Sequence, residues 1–121
     1  MKIYIDSSDI KEIKEINKTK LVDGITTNPS LIAKQNKDIK IILKEISKEI
    51  KGPVSAEVTA EDCAGMLKEA QVLKKIAKNI VINLPLTYEG LKACSELSRK
   101  KVKTNVTLCF SVSQALMAAK C

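Results

Sequence analysis

The chain has 121 residues, 45% of them apolar and 29% charged, enough for one domain with its own core. No apolar run approaches the roughly 20 residues of a membrane span, and the opening MKIYIDSSD meets acid and serine too early for a secretory signal, so a cytoplasmic location is expected. The net charge of +7 comes from lysines spread along the whole chain, with Arg99 the only arginine, and aromatic residues are 2%. The arginine forks and stacking rings of a nucleic-acid reader are therefore missing, and neither nucleic acid nor membrane is expected as a partner. Cys63, Cys94, Cys109 and Cys121 have no metal spacing and no histidine beside them. They read as reduced thiols packed as small apolar groups, and no metal site is expected.

In chain order, KIYID is a short apolar strand ending in Asp6, after which Ser8 can cap a helix with Ile10, Ile13 and Ile16 on one face. LVDGITTNPS is a second strand, broken at Asn28-Pro29. The next helix carries Ile39, Ile42, Leu43, Ile46 and Ile50, spaced 3, 4, 7 and 11 from the first. GPVSAEV is a third strand opened by a Gly-Pro turn. Thr59 and Asp62 resemble a capping box before Cys63, Met66, Leu67, Ala70, Leu73 and Ala77. NIVINLP is a fourth strand, with Thr87 capping the helix of Leu91, Cys94 and Leu97. VKTNVTLCF is a fifth, and Ser111 with Gln114 forms a capping box before Val112, Ala115, Leu116 and Ala119.

Five βα units at about 24 residues each imply α/β architecture with a parallel sheet and helical crossovers. A doubly wound sheet usually has a glycine-rich phosphate loop after its first strand. Here that loop is DSSDIKE, without glycine, which leans towards a (β/α)₈ barrel and leaves the open sheet as the alternative.

Each strand also delivers polar side chains at its carboxyl end: Asp6, then Thr26, Thr27 and Asn28, then Glu57, then Asn83, then Asn105 and Thr107. Residues two apart share a face, so Ser55 goes with Glu57 and Asn105 with Thr107. Capping the next helix explains Thr87 and Ser111. It explains Glu57 and Asn83 badly, because these lie inside apolar strands, where a lone carboxylate costs several kcal/mol unless partnered. In a barrel such residues converge at the carboxyl-terminal mouth, where the chemistry of that fold is placed.

The segments DGITTNPSLIAK, GPVSAEV, NLPLTYEGLKA and TNVTLCFSVSQALMAAK resemble the transaldolase family, in particular its small branch that includes fructose-6-phosphate aldolase. Order and spacing agree over essentially the whole chain. The resemblance implies a (β/α)₈ TIM-type barrel, and class I aldol transfer or cleavage of a dihydroxyacetone unit of a sugar phosphate. It implies no metal and no organic cofactor. By motif, Asp6 would assist proton transfer and Glu57 would hold the catalytic water. Thr26, Asn28, Asn105 and Thr107 would form the polar shell around that water and the substrate hydroxyls.

Two departures stand out. The family's fourth strand reads like VKIPMT, and its lysine forms a Schiff base with the ketose; the matching residue here is Asn83. An amide cannot form an iminium, and rescue by Lys34 or by Lys103, two residues deeper than Asn105, is not expected. The second departure is length: five units, ending within an apolar-periodic helix, read as the amino-terminal part (1–121) of one barrel domain. The expectation is a catalytically impaired transaldolase-like protein whose bare apolar strand face drives self-association. The alternative is a non-catalytic binding or interaction protein built on half a barrel.

Overall fold

The three central apolar runs become buried strands because a strand on either side and the covering helices enclose them, while the first and last runs form edge strands with one neighbour each. In the computed structural model, which describes residues 1–121, the strands are β1 (Tyr4–Asp6), β2 (Gly24–Thr26), β3 (Val54–Glu57), β4 (Ile80–Pro85) and β5 (Thr104–Thr107). All neighbours pair in parallel, in the order β1-β2-β3-β4-β5. The helices are α1 (Ile10–Asn17), α2 (Pro29–Ala33), α3 (Ile39–Glu49), α4 (Cys63–Leu73), α5 (Tyr88–Arg99) and α6 (Val112–Lys120).

Strand order resolves the choice between open sheet and barrel. A right-handed crossover repeated in one direction puts every helix on the same face. A doubly wound sheet must instead reverse its strand order at a switch point. There is no reversal, and the sheet curls into half a barrel with helices outside. Ile25, Val54, Ala56, Ile82 and Leu84 point to the convex face and meet Ile13, Leu43, Ile46, Met66, Ala70 and Leu97 of the helices in one core. The third-position glycine of α5, Gly90, lets that helix start against the strand before it. A β-carbon there would run into the Pro85 carbonyl.

The caps differ in detail from the expected ones. Asp9, not Ser8, caps α1, accepting from Lys11 N–H at 2.8 Å. Ser8 is buried and donates to the Leu31 carbonyl of α2. Asp62 is the cap of α4 and accepts from Gly65 N–H, while Thr59 gives both its N–H and its hydroxyl to Glu69. Thr87 caps α5, and Ser111 caps α6 by accepting from Gln114 N–H. The return bond of Gln114 goes to Phe110 N–H, one residue before the cap.

The uncovered face is not the apolar surface expected. Along the concave side the register puts Tyr4, Asp6, Thr26, Ser55, Glu57, Val81, Asn83 and Asn105, mostly polar residues. Exposed apolar surface gathers instead at the end of β5 and along α6, which buries no residue: Phe110, Val112, Leu116 and Met117 are all more than half exposed.

Candidate functional site

Register sets the centre of the concave face. Glu57 lies opposite Asn83 across β3 and β4, and Asn83 lies opposite Asn105 across β4 and β5. Residues directly opposite on one face have side chains within reach of each other. The Asn83 amide nitrogen accordingly donates to Glu57 Oε2 at 3.3 Å, and its oxygen accepts from Asn105 Nδ2 at 3.0 Å. A carboxylate can only accept, so the orientation of the Asn83 amide follows from the pairing. Asn83 is 6% exposed, and both ends of its side chain are engaged.

A second pair stands across β1 and β2, where the Thr26 hydroxyl donates to Asp6 Oδ1 at 3.1 Å. Asp6 reaches the first group electrostatically. Glu57 holds its proton above the ordinary carboxylate value, chiefly because burial removes it from water; the Asn83 hydrogen bond opposes this and the Asp6 charge adds to it. The result is a carboxyl suited to holding or exchanging a proton, beside amides and a hydroxyl that can orient a polyol or water.

Two of the expected site residues stand apart from these groups. Asn28 caps α2, its Oδ1 accepting from Leu31 N–H at 2.9 Å, which leaves only its amide nitrogen to turn elsewhere. Thr107 continues the concave face of β5 beyond Asn105 without a side-chain hydrogen bond of its own, and its carbonyl accepts from Leu86 N–H. Lys34 ends α2 on the surface. Lys103 immediately precedes β5 and lines the lower part of the concave groove with Lys51 and Lys78. No three His, Cys, Asp or Glu side chains come together as metal ligands, and no helix is long and apolar enough to cross a membrane.

Sequence reasoning placed Ser55 on the face of Glu57 without giving it a role, weighed Lys103 only as a substitute amine, and passed over Lys51 and Lys78. Ser55 is buried on the concave face and its hydroxyl has no partner. The signal was available in part: Ser55 shares a face with Glu57, and Lys51, Lys78 and Lys103 each stand one to three residues ahead of a strand.

The family model described as Transaldolase/Fructose-6-phosphate aldolase matches residues 3–121. A probable transaldolase of Sinorhizobium medicae is 57% identical over 120 residues, covering 99% of this chain and 55% of that protein. Similar proteins of Methanococcus vannielii, 56% identical, and Brucella anthropi, 58% identical, each cover 99% of this chain, and 56% and 55% of their own lengths respectively are matched. The chain thus spans about half the length of the curated relatives it matches. With a match from the third residue to the last, and a half-barrel whose strands run in the sequential order such barrels require, the chain belongs to the transaldolase/fructose-6-phosphate aldolase family.

Proposed function

We propose that this chain is a cytoplasmic, sugar-phosphate-directed member of the family that cannot itself perform the Schiff-base step, and that residues 1–121 form the amino-terminal part of one barrel domain. The observation that carries the reading is Asn83. It occupies the β4 position at which the resemblance implies a lysine, and it is held between Glu57 and Asn105. In the Schiff-base step an amine adds to a ketone carbonyl and water leaves, giving an iminium. The lone pair of an amide nitrogen is delocalised into its own carbonyl and does not add. Loss of a covalent nucleophile lowers such a rate by on the order of 10⁴-fold or more.

The remaining groups keep roles that need no amine. Asp6 and Glu57 are the carboxyl pair for proton transfer and for holding a water. Thr26, Asn28, Asn105 and Thr107 are the polar contacts for hydroxyls of a dihydroxyacetone-type unit. The polar concave face and the mutual bonding of Glu57, Asn83 and Asn105 support this reading.

The test is reductive trapping. Incubated with fructose 6-phosphate and borohydride, the chain should show no mass adduct. In the barrel of a full-length relative, the form with asparagine at the β4 position should stay unlabelled and the Asn83→Lys form should label at that position. An adduct mapped to Lys103 or Lys34 would overturn the proposal, because the chemistry would then have moved to another amine.

A further inference from the structure

On the outer side of the sheet, where α4 and α5 pack against each other and end, there is a cavity of about 190 Å³. Its base is apolar, formed by buried Leu97 with half-buried Leu67 and Val102. Its rim is Lys74, Lys75 and Lys100, with Gln71 beside them. No carboxylate lines it. None of the three lysines takes part in an ion pair; the chain's ion pairs are Lys18–Glu15, Lys37–Glu45, Lys92–Glu89 and Arg99–Glu96, all elsewhere. The cavity shares no residue with the concave groove and opens outward between helices, so it exists however far the barrel continues.

Charge and apolar surface together define what fits. The ends of α4 and α5 contribute about half a negative charge each. Their last carbonyls already accept from the N–H groups of Lys74, Lys75, Lys100 and Val102, so the three full ammonium charges dominate. The surroundings add to them. The segments leading from helix to strand, KTKLVD, IKGP, KKIAKN and KKVK, hold one acid, Asp23, which is engaged by Ile3 N–H. That end of the molecule therefore carries a positive field that steers anions towards it. A bare anion gains little there, because exposed lysines are mobile and screened by salt. The apolar base calls for a hydrophobic body attached to the charge, and a volume below that of drug-sized pockets limits this body to a few carbon atoms. We propose that the cavity binds a small carboxylate with an aliphatic body, its chain on Leu67, Leu97 and Val102 and its charge among Lys74, Lys75 and Lys100. A polyol would set hydroxyls against the apolar base without partners, so the ligand differs from any held on the concave face. The assignment does not depend on what Asn83 can or cannot do.

The test is an NMR titration of the ¹⁵N-labelled 121-residue chain with sodium butyrate, hexanoate and octanoate at constant ionic strength. Amide shifts should fall on Leu67–Lys75 and Leu97–Val102. Each methylene that enters the cavity should tighten binding about fourfold, so hexanoate should exceed butyrate by roughly tenfold. Octanoate should gain little more, because the cavity is then full. Hexylamine, with the same body and the opposite charge, should not bind. Lys75→Gln with Lys100→Gln should weaken hexanoate by about fivefold. Gln71→Trp, at an exposed position on the rim, should block the cavity while the core stays untouched and the folded spectrum is kept. Lys40→Gln with Lys44→Gln, on α3, should leave binding unchanged. Several outcomes would overturn the proposal. Equal binding of hexylamine and hexanoate, or steady gains beyond hexanoate, would mean unspecific apolar adsorption. Inorganic phosphate matching hexanoate in affinity would mean a patch that takes any anion, and unaltered binding in Gln71→Trp would place the ligand elsewhere.

Discussion

At the scale of single residues, the decisive feature is that Asn83 both donates and accepts. Glu57 needs a donor and Asn105 presents one, so an amide between them satisfies both neighbours. The three causes acting on Glu57 make separate, signed predictions. Asp6→Asn should lower its pKa by removing a like charge, and Asn83→Ala should raise it by removing the hydrogen bond to the ionised form. Carbon-detected NMR titration of the Glu57 carboxyl checks both; movement in the opposite direction for either would show that the groups do not sense each other. The linkage has a definite sign. Because the folded value lies above the ordinary 4.5, the stability gained from the bound proton is complete below about that pH and is lost as pH rises through the raised folded value. Glu57→Gln should therefore flatten the stability profile above pH 4.5 in denaturant titrations.

At the scale of elements, the caps show where local pattern and tertiary contact compete. Thr59 and Asp62 have capping-box spacing, but Glu69 reaches back from α4 and takes the Thr59 N–H at 2.6 Å and hydroxyl at 2.9 Å. Asp62 is left to cap the helix, and Glu89 of α5 accepts from Cys63 N–H at 3.0 Å beside it. Asp62→Ala should cost about 1 kcal/mol in chemical denaturation, the usual value of a lost cap. Thr59→Ala should cost less than half of that, since the Thr59 N–H keeps its bond to Glu69. A larger loss at Thr59 than at Asp62 would restore the capping box as the true start of the helix.

At the scale of the whole molecule, the distribution of exposed apolar surface determines how the chain meets other copies. The concave face is polar, so association through a bare sheet face is not favoured. Phe110, Val112 and Leu116 are 82%, 88% and 68% exposed and lie together on the last unit. Burial of such surface is worth roughly 25 cal/mol per Å². We expect concentration-dependent self-association in sedimentation velocity, reduced by Phe110→Ser with Leu116→Glu. A single monomeric boundary for the unaltered chain at high concentration would refute that expectation.

Much of this was legible in the sequence because it is local. Alternation of short apolar runs with helical periodicity defines five βα units, the Thr87 and Ser111 caps depend only on nearby residues, and TTNPSL with NVTLCFS carries the family resemblance. The alternation of side chains along a strand is local too, and by itself it puts Ser55 on the same face as Glu57. What the tertiary structure decided depends on contacts between residues far apart in the chain. Strand order put all helices on one face and chose half a barrel over a doubly wound sheet. Inter-strand register placed Asn83 between Glu57 and Asn105, and drew the lysines ahead of separate strands around one groove. Competing partners moved Asn28 to a cap and Thr59 away from one. A single strand carries its own alternation of faces, but its neighbours and its register are set only when the sheet assembles, and the chemistry of this face is a property of that assembly.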